Sequence, residues 1–437
     1  MDHDSRIAIV AGMRTPFTKA FTTMATVSAA ELGTHAAVAA LNRLSESPCL
    51  DLPAQTLVDE LIMGNVAGPA DAANIARVIA LKSGLPEHTI AHTVNRNCGS
   101  GMESILQAAT ILRGGRAEIV IAGGTESMSN VPLLFNAPAR QWMMQMGRAR
   151  TFAAKLKTLS RWRPQMLRPV AALELGLTDA VCGLNMGQTA EALAEEFSIS
   201  REDQDAFALQ SHQRAYETQQ SGFFSGEIAP WNANHQTVAQ DNGPRPNQSL
   251  EQLAKLRPIF APKGSVTAGN SCQLTDGAAA VLLMTEASAK RRGFVPVGYI
   301  TATAIAGCSP ARMGLGPVFA IAKLLDQQQW KLDRFELFEI NEAFAAQVLA
   351  CLQALGSAAF AEKELNRSTP VGEIPQTKLN IHGGAIALGH PVGSTGTRLV
   401  LTLLRTLNKF GLHRGLASLC IGGGQGMAMA VETAGDN

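Results

Sequence analysis

What this chain has little of narrows its class before any motif is read. Aromatic residues make up 5% of its 437 residues, and the charges nearly cancel, with 37 Lys and Arg against 36 Asp and Glu for a net +1. A nucleic-acid surface covering the whole protein needs a surplus of positive charge, so no nucleic-acid partner is expected. The 7 cysteines, at positions 49, 98, 182, 272, 308, 351 and 420, form no CxxC pair. That excludes a zinc knuckle, a thioredoxin-type pair and a dense disulfide framework, and it fits a reducing compartment. Scattered free thiols usually act as small buried hydrophobes, which is the reading for Cys49, Cys182, Cys308 and Cys351. No run of about 18 apolar residues could span a bilayer. Residues 1–10 are charged rather than apolar, so no secretory signal is expected and the location reads as cytoplasmic. Walker A, GxGxxG, HExxH and GxSxG patterns are also missing. Nucleotide hydrolysis, dinucleotide redox chemistry, zinc proteolysis and serine α/β-hydrolase chemistry all lose support.

Short apolar runs stand at residues 6–11 (RIAIVA), 118–122 (EIVIA) and 279–284 (AAVLLM), separated by segments of helical period such as 29–41 and 102–112. Strands buried on both faces and alternating with helices predict an α/β fold. Two stretches share one plan. Residues 93–130 read strand, small-residue elbow (NCGSG), helix, Gly turn, strand; residues 378–431 read strand (KLNI), Gly-rich connection with GSTG, helix, Gly turn, strand (LASLCIGGG). Two similar halves placed face to face would bring loops from both to one site. Between them the texture changes. Residues 127–173 hold no acid but carry Arg140, Arg148, Arg150, Lys155, Lys157, Arg161, Arg163 and Arg168, interleaved with Trp142, Phe152, Trp162 and several Met. Such a stretch suits an anionic membrane surface, a phosphorylated ligand or a docking partner, as well as an ordinary solvated helical excursion. Residues 188–216 read as amphipathic helix, with Ser200 as a cap.

Cys98 has the most unusual setting of any thiol, in Asn95-Arg96-Asn97-Cys98-Gly99-Ser100-Gly101 between a strand and a helix. A helix N-terminus favours thiolate, and glycines permit a sharp turn with room for a substrate, so this reads as a nucleophile with a lowered pKa. His390 lies in a stretch with five glycines, residues 382–396, and Pro391 keeps it out of helical geometry. It reads as a general base held on a loop. Cys420 ends a strand and precedes Ile421-Gly422-Gly423-Gly424, whose amides suit an oxyanion. Asn341-Glu342-Ala343-Phe344 follows FELFEI at another strand end, as a site residue or a plain N-cap. Reactive groups at several strand ends fit the rule that α/β sites gather there.

Together, NCGSGM around Cys98, NEAFAAQ at 341–347, GGAIALGHPVGSTGTR around His390 and CIGGGQGMA around Cys420 resemble the thiolase family, and IVAGMRTPF, AGGTESMS, MGQTAE, LAKLRPIF and SVTAGNSCQLTDGAA match in order. The resemblance implies two similar halves in a five-layer αβαβα core with an inserted CoA-binding loop domain. The halves would be residues 1–130 with 255–292, and 293–437; the insertion would be 131–254. It implies Cys98 as nucleophile, His390 as its activator, Cys420 as second acid/base and Asn341, with His390, as the hole for the enolate oxygen. The amides of Cys98 and Gly422 would form the acyl-step oxyanion hole. Met186, Met313 and Phe344 would line the acyl pocket or touch substrate; Arg245, Ala268, Gly269 and Cys272 would contact CoA. CoA and acyl-CoA are implied as substrates, with no permanently bound cofactor and no metal, in a homodimer or homotetramer.

The implied activity is acetyl-CoA acyltransfer, the thiolysis of 3-ketoacyl-CoA in fatty-acid β-oxidation; biosynthetic condensation of two acetyl-CoA molecules is the alternative. The basic stretch resembles the longer loop of thiolase β-subunits in fatty-acid oxidation complexes, which implies a multifunctional α-subunit as partner or peripheral membrane contact through 140–168. Those relatives usually carry HEAF where this chain has NEAF, Asn185 stands where short-chain enzymes often have His, and Cys272 replaces a usual Ser. A decarboxylating ketosynthase is disfavoured by the thiol at Cys420. A non-catalytic docking subunit is disfavoured by the retention of all four reactive groups.

Overall fold

The computed structural model describes residues 6–47, 53–233 and 236–435. Cys49 lies outside the described residues. Nine strands form one hydrogen-bonded path: β1 (Ile7–Arg14), β2 (Glu60–Gly64), β3 (Ile90–Val94), β4 (Val120–Glu126), β5 (Thr275–Thr285), β6 (Gly298–Gly307), β7 (Leu337–Ile340), β8 (Arg414–Ile421) and β9 (Gln425–Glu432). The spatial order is β7-β8-β9-β6-β1-β5-β4-β2-β3, and the two-residue strand Thr18–Lys19 pairs with β5 off this path. Two half-sheets meet edge to edge where Ile7, Ala8 and Ile9 of β1 pair antiparallel with Ile300, Tyr299 and Gly298 of β6.

The period of two along each strand sorts side chains into separate cores. On β1, Ile7 and Ile9 face one core and Ala8 and Val10 another; on β5, Val281 and Leu283 part from Ala280 and Leu282 in the same way. The strands of the second half behave alike, with Ala417, Leu419, Met427 and Met429 on the inner side and Leu416, Ala428 and Ala430 on the outer. The inner core holds two helices, α3 (Ser100–Arg113) and α8 (Thr395–Phe410), through Met102, Ile105, Leu399 and Leu403. Helices α1 (Ala29–Ser45) and α2 (Ile75–Lys82) cover the outer face of the first half-sheet. Helices α6 (Gly316–Gln328) and α7 (Ala345–Gly356) cover that of the second. Counting across gives helix, sheet, helix, sheet, helix, the expected five layers.

Several local expectations change. The segment 188–216 is two helices, α4 (Met186–Glu196) and α5 (Arg201–Gln220), separated where Ser198 takes a left-handed φ of 51°. Ser200 caps α5 as expected, its hydroxyl accepting from the Asp203 amide in a capping box. KLNI at 378–381 is not a strand. Only Leu379 bridges to Phe338 there, because Pro375 leads a 3-10 turn over Gln376–Lys378. Of the thiols read as buried, Cys351 is buried but Cys182 and Cys308 are only half so, sitting in loops rather than in the core. Among the described residues no single helix is long and apolar enough to cross a membrane; α7 and Ala358–Leu365 are apolar together but bend by 92° and pack in the outer core of the second half.

Candidate active site

The nucleophile elbow joins β3 to α3. Its sharp turn is made by Asn97, at φ 44°, a conformation asparagine tolerates better than most residues. The Asn97 amide donates to Asn95 Oδ1 at 2.9 Å, and its side chain donates to Gly422 O at 2.7 Å, tying the elbow to the other half. Gly99 and Gly101 serve a different purpose from the expected turn and substrate room. A Cβ on Gly99 would stand 2.6 Å from Ile421 Cδ1, and one on Gly101 would stand 2.8 Å from both Gly393 O and Thr397 Oγ1. These glycines let the second half approach.

The expected depression of the Cys98 pKa is not found. Burial pushes the thiol above its ordinary value and the nearby Glu126 carboxylate adds to this; the amides of Gly422 and Cys98, which donate toward the sulfur, offset them only in part. Helix α3 begins at Ser100, with Gly99 as its cap, so Cys98 precedes the cap and is not part of the first helical turn. At rest Cys98 is a thiol that needs a base.

His390 is the candidate for that base. It is 7% exposed, and burial, aided by the charge of Arg398, lowers its pKa to about 4, so the ring is neutral at physiological pH. Its Nδ1 lies 2.6 Å from Thr395 Oγ1. The Thr395 hydroxyl donates its single proton to Pro391 O at 3.0 Å, so toward the ring it accepts. The proton is thereby assigned to Nδ1, and Nε2, which has no partner among the described residues, keeps a free lone pair.

Cys98, His390, Cys420, Gly422, Cys272, Met186, Met313 and Phe344 line a single cavity of about 640 Å³. Cys420 is 1% exposed, and burial together with the neighbouring thiols holds its pKa well above the usual range, so it stands protonated as a proton donor. Cys272, half-buried, is pushed up to about 12 by burial and by Cys98. Asn341 is fully buried at the end of β7. It is not a helix cap, since Phe344 occupies that position for α7; instead both its side-chain polar atoms lack a protein partner among the described residues. Buried amide atoms left so are ready for a water or a substrate oxygen. Arg245, Ala268 and Gly269 do not line the cavity. Arg245 and Ala268 are exposed, and Gly269 is buried under Leu253 and Leu256. The loop of Ala268 and Gly269 reaches the site through Cys272, whose amide donates to Ala343 O at 3.0 Å.

Family models match on both sides: a thiolase N-terminal domain over residues 7–287 and a thiolase C-terminal domain over 294–433. The chain belongs to the thiolase family. It is 39% identical to a 3-ketoacyl-CoA thiolase of Yersinia enterocolitica over 434 residues, covering 98% of this chain and 97% of that relative. Among solved thiolases, the human mitochondrial 3-ketoacyl-CoA thiolase in complex with CoA superposes with a TM-score of 0.83 at 36% identity, covering 98% of each chain. An acetyl-CoA acetyltransferase of Bacillus anthracis gives 0.82 at 35% identity, covering 98% of this chain and 99% of that one.

Two residues of this thiolase site were missed from sequence. Thr395 sits inside the GSTG run and Glu126 inside AGGTESMS, so the motifs held them. What singles them out, a tautomer and a buried carboxylate, depends on partners far away in the chain.

Proposed function

We propose that this acyltransferase cleaves 3-ketoacyl-CoA with CoA, giving acetyl-CoA and a shortened acyl-CoA through a thioester on Cys98. The observation that carries the reading is the cavity itself, where a thiol under the Gly422 amide meets a neutral imidazole with a free Nε2 and a second, protonated thiol. His390 Nε2 takes the Cys98 proton as sulfur attacks the C3 ketone, and the amides of Cys98 and Gly422 receive the oxyanion. The C2–C3 bond then breaks. The departing enolate oxygen is held by His390 and by Asn341, acting through a water, and Cys420 gives its proton to C2, releasing acetyl-CoA. CoA enters, its thiol proton passes to Cys420, and its sulfur attacks the Cys98 thioester. Cys98 leaves and recovers its proton from His390. The proton that Cys420 gives to C2 is replaced by that of the incoming CoA thiol, and Cys98 regains its own from His390, so all three side chains end the cycle as they began. Residues 131–254, with Arg245, and the loop of Ala268, Gly269 and Cys272 are proposed to hold CoA.

The test is thiolysis of 3-ketoacyl-CoA together with intact mass of the protein after incubation with substrate but no CoA. The expected result is turnover and an acyl adduct, both abolished in Cys98→Ala. Turnover in that variant refutes the reading.

A second reading concerns the basic excursion. Helices Ala137–Arg148 and Phe152–Leu159 and the turn after them expose Met143, Met144, Phe152 at 82%, Leu156, Leu159 and Trp162, and none of the eight basic residues of 140–168 forms an ion pair among the described residues. Unpaired positive charge beside exposed apolar side chains suits an anionic lipid surface. Sedimentation with phosphatidylserine-containing vesicles should carry the protein down in low salt, and Phe152→Ser with Leu156→Ser should weaken it. Equal sedimentation with neutral vesicles, or no effect of the substitutions, removes this role.

A further inference from the structure

Glu126 closes β4 at the wall of the cavity. It is fully buried, and the buried-acid rule asks what holds it. Each carboxylate oxygen accepts two hydrogen bonds. Oε1 takes Asn65 Nδ2 at 2.9 Å and the Ala67 amide at 3.0 Å; Oε2 takes the Val66 amide and the Gly393 amide, both at 3.0 Å. Burial pushes its pKa up to about 7, and the four partners, all donors, pull the other way toward the ionised form and offer no acceptor for a carboxylic acid's proton. Three of the donors belong to the loop after β2, in the first half of the molecule. The fourth, Gly393, belongs to the second half, three residues beyond His390.

The same loop is pressed from the other side. A Cβ on Gly124 would fall 1.8 Å from Gly393 O, and Thr397 Oγ1 donates to Gly101 O at 3.0 Å. Close glycine contact sets how near the His390 loop comes to the elbow, but contact alone resists only compression. The hydrogen bond from Gly393 to Glu126 resists separation and fixes the loop in both directions. Glu126 and Cys98 line the same cavity.

We propose that Glu126 is a positioning residue for the thiolase reaction: its carboxylate locks the His390 loop to the loop after β2, which is tied in turn to the Cys98 elbow where Asn95 Nδ2 donates to Val66 O at 3.4 Å. The inference rests on the roles assigned to Cys98 and His390 above. Two variants test it. Glu126→Asp keeps the charge and shortens the reach by one methylene. Glu126→Gln keeps the reach, removes the charge and turns an amide group toward backbone donors.

The experiment measures thiolysis kinetics in the whole enzyme, with a thermal melt of each variant. For Glu126→Asp, kcat should fall by about 10²-fold from misplacement of the base, while KM for CoA stays as in the wild type. For Glu126→Gln, kcat should fall likewise with KM for CoA again unchanged, a split that loss of structure alone does not produce. Wild-type kcat in Glu126→Asp overturns the positioning role. Wild-type kcat in a folded Glu126→Gln overturns it as well, and if that variant shows no cooperative melt the Asp variant decides. Absence of thiolysis in the wild type would instead refute the function proposed above, so the two failures are distinguishable.

Discussion

The hydroxyl of Thr395 offers the sharpest single-atom test of the proposed mechanism. Thr395→Val replaces that hydroxyl by a methyl of nearly the same shape at a fully buried position, so packing is kept and only polarity changes. Pro391 O loses one bond but still accepts from the amides of Ser394 at 2.8 Å and residue 395 at 3.0 Å. His390 Nδ1 is the atom left bare, since its hydrogen bond is to the Thr395 hydroxyl. A buried donor without an acceptor costs about 1–3 kcal/mol. The ring escapes that cost by moving the proton to Nε2, which is the tautomer that cannot take a proton from Cys98. Either way the productive state is about 1–3 kcal/mol less accessible, and kcat for thiolysis falls by roughly 5- to 150-fold. KM for CoA should hardly change, because no CoA contact is touched. Steady-state thiolysis with a single 3-ketoacyl-CoA at saturating CoA measures it, and Thr395→Ser, which restores the hydroxyl, should recover most of the rate. Wild-type kcat in Thr395→Val would show that the tautomer is set some other way.

Gly124→Ala places a methyl where Gly393 O now stands, against backbone on both sides, so the loop or the strand has to shift; the melting temperature and kcat should fall together, and an unchanged melt would mean the close approach is not rigid. The pH profile carries a separate expectation. His390 titrates near 4 and not at the ordinary 6.5, so it stays neutral and able to accept a proton as pH falls from 7 toward 5. The acid limb of kcat/KM should therefore contain no fall centred at 6.5 that His390→Asn abolishes, and such a fall would contradict the burial of the ring.

Much of this was legible in the chain. The alternation of Ile7, Ala8, Ile9 and Val10 carries the two-sided burial of β1, and the elbow around Cys98 announces itself by small residues between a strand and a helix. Motifs also name the four reactive groups. The environment of each group was not legible. Reading Cys98 as a lowered thiol used the helix that follows it and could not count the walls that bury it, which come from residues more than 300 positions away, such as Gly422 and Ile421. The glycines at 99 and 101 looked like turn formers because a sequence shows what a residue permits locally and hides what packs against it. Thr395 and Glu126 were invisible as site residues for the same reason. KLNI failed in the opposite sense, an apolar alternation too short and too close to Pro375 to enter the ladder.

The pairing of β1 with β6 joins both half-sheets into one continuous ladder, and Gly393 is wedged against Gly124 across the inner layer. A hinge between the halves would have to tear that ladder and unseat the wedge in every catalytic cycle. The frame around Cys98 therefore behaves as an anvil, with its spacing set once at folding. Entry and exit of a ligand are left to the cavity's other wall, where Leu134, Leu173 and Leu177 from the excursion line it. In such an enzyme the chemical step and the passage of substrate are governed by different parts of the chain, so each can be altered by mutation without retuning the other.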